Sequence, residues 1–219
     1  MTKTKTPVAL VTWHVLLQSG ALAFAAVTSA SAGENLIANG TFVPATATCE
    51  AGTTSIPSWT VVAGNVDVVD AACNSNMKGP DSTNWYLDLT GSYAEDGEND
   101  VGTLAQTVTT VVGKSYQLTF YFGGNPQWQG NVYPNDSALK VMTVYVNGSI
   151  AGAYSVATAG VAYTDAQWQR KAITFTATST STTITFESLN GSTANPSDFG
   201  PQLGNVVLKE AVRASDRRE

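Results

Sequence analysis

The densest set of side chains able to recognise a small molecule runs from Gly123 to Asp136, as Gly-Gly-Asn-Pro-Gln-Trp-Gln-Gly-Asn-Val-Tyr-Pro-Asn-Asp. Trp128 and Tyr133 supply flat apolar rings, while Asn125, Gln127, Gln129 and Asn131 supply amides that both donate and accept hydrogen bonds. A sugar ring has an apolar C–H face and a rim of hydroxyls, so aromatic platforms flanked by amides suit it. A loop this long between two strands is itself unusual and often functional. In the competing reading, Trp128 folds back as a lid on the rim of the domain. Tyr86 and Asp88 join the candidate ligand-binding residues because they alternate with Trp85, Leu87 and Leu89. If the apolar set faces a core, Tyr86 and Asp88 face out, either to a ligand or simply to solvent. Large apolar rings go more often to the core, and Trp59 and Trp168 are left out of the site on that ground.

No residue is assigned a catalytic role. The only histidine, His14, lies in a segment expected to be removed. That takes away Ser-His-Asp and Cys-His mechanisms and histidine-ligated zinc or copper. Catalysis would fall to carboxylates, with Asp67 or Asp88 opposite Glu187 as the pair to consider. Alternation around all three matches plain solvent exposure, and the chain is expected not to be an enzyme. The acidic run Glu95-Asp96-Gly97-Glu98-Asn99-Asp100 offers hard oxygen ligands to calcium but lacks EF-hand spacing, and it reads equally as a solvated loop. No metal ligand is assigned. Cys49 and Cys73 are the only cysteines; in an exported chain an even count reads as a disulfide, worth about 3 kcal/mol by loop closure. Glycosylation triplets begin at Asn39, Asn135, Asn147 and Asn190, but a chain this rich in Asn, Ser and Thr produces such matches by chance.

Positioning these residues falls to strands. Period-two alternation marks Trp59 to Val62 and Val66 to Val69, joined by a turn, then Trp85 to Thr90 and Thr103 to Thr109. Tyr116 to Phe122 follows a turn at Val112-Gly113-Lys114. Lys140 to Val146 and about Ile150 to Val156 predict a hairpin on Asn147-Gly148, a dipeptide that tolerates positive φ. Trp168 to Thr178 and Thr182 to Leu189 predict a second hairpin around Ser179-Thr180-Ser181, and Leu203 to Lys209 closes the set. About ten strands with a turn every 8 to 12 residues predict an all-β, two-sheet antiparallel β-sandwich or jelly roll.

Residues 1–32 carry Lys3 and Lys5 and no acid, then a mostly apolar stretch from Val8 to Val27, then Thr28-Ser29-Ala30-Ser31-Ala32. That layout predicts a secretory signal peptide cleaved between Ala32 and Gly33. A membrane anchor competes, since a spanning helix needs about 20 apolar residues. Trp13, His14, Gln18, Ser19 and Gly20 interrupt the run, however, and no membrane insertion is expected after cleavage. Removing Lys3 and Lys5 leaves nine Lys and Arg against seventeen Asp and Glu, a formal charge of −8. So acidic a chain repels nucleic acid and anionic lipid. Lys209, Arg213, Arg217 and Arg218 make a mildly basic end that reads as a frayed tail.

Several segments, in order, carry a family pattern: Asn35-Leu36-Ile37-Ala38-Asn39-Gly40-Thr41-Phe42, Ile56-Pro57-Ser58-Trp59, Gly102-Thr103-Leu104-Ala105-Gln106, and Gly200-Pro201-Gln202-Leu203-Gly204-Asn205-Val206. The sequence resembles the choice-of-anchor C family and its relative, domain of unknown function 642 (DUF 642), known from plant cell-wall proteins. The resemblance implies a galactose-binding-like jelly roll over residues 33–209, with a polar tail from 210 to 219. It also implies an exported or cell-surface protein whose partner is a polysaccharide. Similar families often place an acid after N-G-x-F and another in the closing strand, and such modules often bind a structural calcium ion; here those positions are Val43 and Gly204. No cofactor is therefore expected. The chain also ends without the hydrophobic tail of anchored relatives, so it is expected to be released, or held only by what it binds. The sequence leaves open a structural or adhesive surface protein that binds another protein.

Overall fold

The computed structural model describes residues 33–73, 77–82, 85–92, 101–126, 137–190 and 199–211. The expected signal peptide and the tail from residue 212 lie outside them. Twelve strands follow in order: β1 (Glu50–Thr53), β2 (Ser55–Ile56), β3 (Trp59–Ala63), β4 (Val66–Val69), β5 (Tyr86–Asp88), β6 (Thr103–Thr109), β7 (Ser115–Gly124), β8 (Leu139–Val146), β9 (Ser149–Ala157), β10 (Gln169–Thr176), β11 (Ser181–Ser188) and β12 (Pro201–Glu210). They form two six-stranded antiparallel sheets. The first has the order β1-β4-β5-β12-β7-β10 and the second β2-β3-β6-β11-β8-β9. The all-β sandwich expected from the alternation is the fold. Among the described residues no helix is long and apolar enough to cross a membrane.

The core lies between the sheets. Leu87, Leu118, Phe120, Phe122, Leu203 and Leu208 enter it from the first sheet, and Leu104, Met142, Val144, Ile184 and Phe186 from the second. Each such side chain contributes roughly 1.5–3 kcal/mol by leaving water. Phe120 meets Phe186 edge to face at 5.2 Å, and Trp59 tilts against Phe186 at 6.2 Å. Phe42 is fully buried 5.4 Å from Trp59, which explains the phenylalanine of the opening N-G-x-F run. Gly40 has an equally local reason: a Cβ there would sit 2.0 Å from the Val206 carbonyl oxygen on β12.

Neighbours in sequence are often not neighbours in a sheet. Asn147 and Gly148, at φ 50° and 77°, do close the β8–β9 hairpin. The second expected hairpin does not form, because β10 pairs with β7 in the first sheet while β11 pairs with β6 and β8 in the second. The Ser179-Thr180-Ser181 turn is a crossing between sheets, as is the turn at Gly113. These two crossings satisfy each other: Thr110 N donates to Thr180 O, Gly113 N to Ala177 O, and Ala177 N to Lys114 O. Backbone groups that lack a ladder partner at this end of the sandwich thus find one in the adjacent crossing.

The outer face of the first sheet is partly covered. Tyr86 packs there with Val69, Met77, Ala166 and Trp168 in a second, smaller apolar cluster. Trp168 meets Tyr86 edge-on at 5.6 Å and donates its indole N–H to Lys78 O. Trp59 is therefore a core residue as expected, whereas Trp168 belongs to this outer layer. The face assigned to Tyr86 and Asp88 is the one away from the main core, since Leu87 and Leu89 enter the core. Its solvation is the point to correct: Tyr86 and Asp88 are 0% and 2% exposed. Alternation reports the face of a strand and is blind to a later segment laid across it.

Candidate ligand-binding rim

At the end of the sandwich opposite the bonded crossings, chain segments leave the sheets after Ser92, Pro126 and Asn190 and return before Val101, Ser137 and Phe199. A buried polar cluster ties their roots together. Asp88 Oδ2 accepts from Asn125 Nδ2 at 2.8 Å, and its Oδ1 accepts from the backbone of Gly200 at 2.9 Å and Thr90 at 3.1 Å. Asn125 N donates to Gly200 O. Thr90 Oγ1 lies 2.8 Å from Ser188 Oγ and donates to Asn190 O. Asn190 in turn bonds strand β8, accepting from Val141 N and donating to Leu139 O. The fully buried Lys140 donates from Nζ to Phe199 O at 2.6 Å.

Burial pushes the Asp88 carboxyl up to about 8, aided by the nearby Asp67 charge and opposed by the bonds from Asn125 and Thr90 and by Lys140. Asp67 stands opposite Asp88 in register on β4. Its own oxygens accept from Gly52 N, Ser92 N and Ser92 Oγ. Glu187 sits in the other sheet, where it accepts from the Tyr145 hydroxyl. The carboxylate pairs considered from sequence are therefore not assembled: Asp67 and Asp88 share one sheet, and Glu187 belongs to the other.

Of the ligand-binding candidates, the structure brings Asn125 and Asp88 together across 37 residues of sequence. Tyr86 is on the same strand as Asp88 but is walled off by Trp168. Gln127, Trp128, Gln129, Asn131 and Tyr133 lie outside the described residues, as does the acidic run from Glu95 to Asp100. Tyr163 was not singled out by sequence. It is 47% exposed and, with Pro126, Thr158 and Val161, lines a shallow pocket of about 290 Å³ beside the point where the 127–136 segment leaves. The clue was available: the β9–β10 connection is long, and Tyr163 is the lone aromatic in its middle. Lys140 was missed for the opposite reason, since its place among alternating apolar residues hid an ammonium on the inward face.

Cys49 and Cys73 form a disulfide, and Asp70 N also approaches Cys49 Sγ at 3.3 Å. Calcium does not fit the two positions the resemblance points to. Val43 carries no side-chain oxygen, and a Cβ built on Gly204 would lie 2.5 Å from the Pro80 ring, leaving no room for a carboxylate. Among the described residues, the one group of three His, Cys, Asp or Glu ligands within mutual reach is Cys49, Asp70 and Cys73, whose sulfurs are committed to the disulfide.

An antiparallel two-sheet jelly roll with a loop-bearing polar rim defines the class of domain. Residues 35–209 match the family described as "Protein of unknown function (DUF642)", and the chain belongs to that family. It is 27% identical over 221 residues to Halomucin of Haloquadratum walsbyi (strain DSM 16790 / HBSQ001), an alignment covering 96% of this chain and 2% of Halomucin. The chain thus spans about 2% of the length of that curated relative. Among solved structures it is similar to TmCBM61 in complex with beta-1,4-galactotriose, at 20% identity and a TM-score of 0.49, covering 81% of this chain and 99% of that one. It is similar also to the Stig cyclase Fisc from Fischerella sp. TAU, at 18% identity and a TM-score of 0.49, covering 83% and 100% of the two chains.

Proposed function

We propose that the chain is an exported, non-catalytic carbohydrate-binding module that recognises a cell-wall or extracellular polysaccharide at the polar rim. The observation that carries this reading is the Asn125–Asp88 bond, which fixes the root of the segment bearing Trp128, Tyr133 and the flanking amides. A binding loop needs rigid roots so that little order has to be imposed when ligand arrives. Exposed Tyr163 adds a further aromatic surface at the same place. Tyr86 and Asp88 take supporting rather than contacting roles, since neither reaches solvent. Export accords with the disulfide, which persists in oxidising compartments. The non-catalytic reading rests on the placement of the three carboxylates weighed from sequence, with Glu187 in the sheet opposite Asp67 and Asp88.

Calorimetry of the mature domain against a panel of soluble polysaccharides, with pull-down on insoluble ones, tests the reading. At least one glycan is expected to bind, and Trp128→Ala is expected to weaken it about tenfold or more, as loss of a stacked ring does. Failure of every glycan would move the chain to the adhesive, protein-binding class.

A further inference from the structure

The outer face of the first sheet is covered only in part, and beyond the cover it forms a polar groove. Three rows cross β10, β7 and β12: Arg170, Tyr121 and Gly204; Ala172, Thr119 and Val207; Thr174, Gln117 and Lys209. A bulge in β12 after Gly204 places Asn205, at φ 46°, on the same side as its neighbour. Asp81, in the 3-10 turn Pro80–Ser82, forms the remaining wall. The groove measures about 300 Å³, the lower end of ligand pockets, which suits a short stretch of a chain-like ligand.

Its chemistry is selective. Tyr121 offers a half-exposed ring, and a hydrogen bond to Asp81 leads the influences that raise its hydroxyl above the ordinary value. Asn205 Nδ2 also points to Asp81, at 3.5 Å. The single acid of the groove lining is thus engaged by two of its neighbours there. Arg170 and Lys209 remain, and neither forms an ion pair with a described residue; among those residues the one ion pair is Lys114–Glu210. Two cations flanking a ring and amides, on a chain of formal charge −6, make a local reversal of sign. The Trp168 ring, lying over Gly123, separates this groove from the rim. Asn125, just past the end of β7, is four residues beyond Tyr121, about 13 Å away at strand spacing.

We propose that this groove is a second glycan site, distinct from the rim, that binds an acidic polysaccharide: Arg170 and Lys209 take its carboxylate or sulfate groups, and Tyr121 carries the apolar face of a sugar ring. The guanidinium fork matches the two oxygens of an acid group, and Gln117 and Asn205 remain for hydroxyls. The ligand class rests on the carbohydrate-binding reading, but the surface is a different one.

Calorimetry at low salt tests it with three probes: an oligouronate, the same oligomer with its carboxyls reduced to alcohols, and a sulfated oligosaccharide. The expected result is that at least one acidic probe binds about tenfold or more tightly than the reduced one, and that the better acidic probe identifies the acid group. Arg170→Gln and Lys209→Gln, both at exposed positions, are expected to abolish the preference without lowering the melting temperature. Equal binding of acidic and reduced probes, or a preference that survives both substitutions, overturns the proposal. Neutral-glycan binding lost in Trp128→Ala but kept in Arg170→Gln separates the two sites. An acidic preference with no Trp128 effect overturns the rim reading alone.

Discussion

Asp88 receives three hydrogen bonds that favour its charged form, yet it is buried beside another acid, and desolvation prevails. The linkage has a definite sign. The folded carboxyl holds its proton up to about pH 8, while the unfolded one releases it near 3.8. The folded state therefore binds more protons between those values, and stability falls as pH rises through that window. The loss is at most about 1.4 kcal/mol per pH unit, the value for one proton. Denaturant titrations at pH 5, 6 and 7 are expected to show this slope in the wild type. In Asp88→Asn, which cannot ionise, the slope should flatten. A wild-type profile that rises with pH would contradict the protonation of Asp88. Because Asp88 also anchors Asn125, this measurement reports on the root of the rim as well.

At the scale of elements, the β8–β9 hairpin isolates a backbone effect from packing. Gly148 has φ 77° and open space around the position of a Cβ, so Gly148→Ala meets no clash and is opposed by conformation alone. A loss of about 1 kcal/mol is expected, read as a lower urea midpoint at unchanged m-value. Asn147-Gly148 was also the turn whose pairing was legible in the sequence, because the dipeptide specifies its own geometry. The Ser179-Thr180-Ser181 turn carries no such signal. Whether it folds into a hairpin or crosses between sheets is decided by distant strands, β7 and β6, that compete for β10 and β11. The same division holds at the site. Alternation assigned Tyr86 and Asp88 to the correct face of β5 but could not foresee that residues 77–82 and 166–168 would cover it. The groove was invisible for a related reason: Arg170, Tyr121 and Lys209 meet only through the register of three strands far apart in sequence.

At the scale of the molecule, the disulfide spans 24 residues and fastens the entry to edge strand β1 to the turn that follows β4. Local opening is easiest where a segment has few buried contacts, and among the described residues β1 pairs only with β4, so the tether supports it from a second side. Cys73→Ser is expected to cost about 3 kcal/mol, and reductant should bring the wild type to the same denaturation midpoint. Identical midpoints with and without reductant would show that the bond does not form in solution. The two ends of the domain are fastened differently. Leu36 N donates to Leu208 O at 2.8 Å, and Leu208 N donates to Asn35 Oδ1 at 2.9 Å, so the chain enters and leaves the sandwich at a single point. A body whose entrance and exit touch can be set into a surface loop of a host protein with little change in the loop's span. It can also be strung in series as a pendant, each copy hanging from the same stalk with its rim directed away.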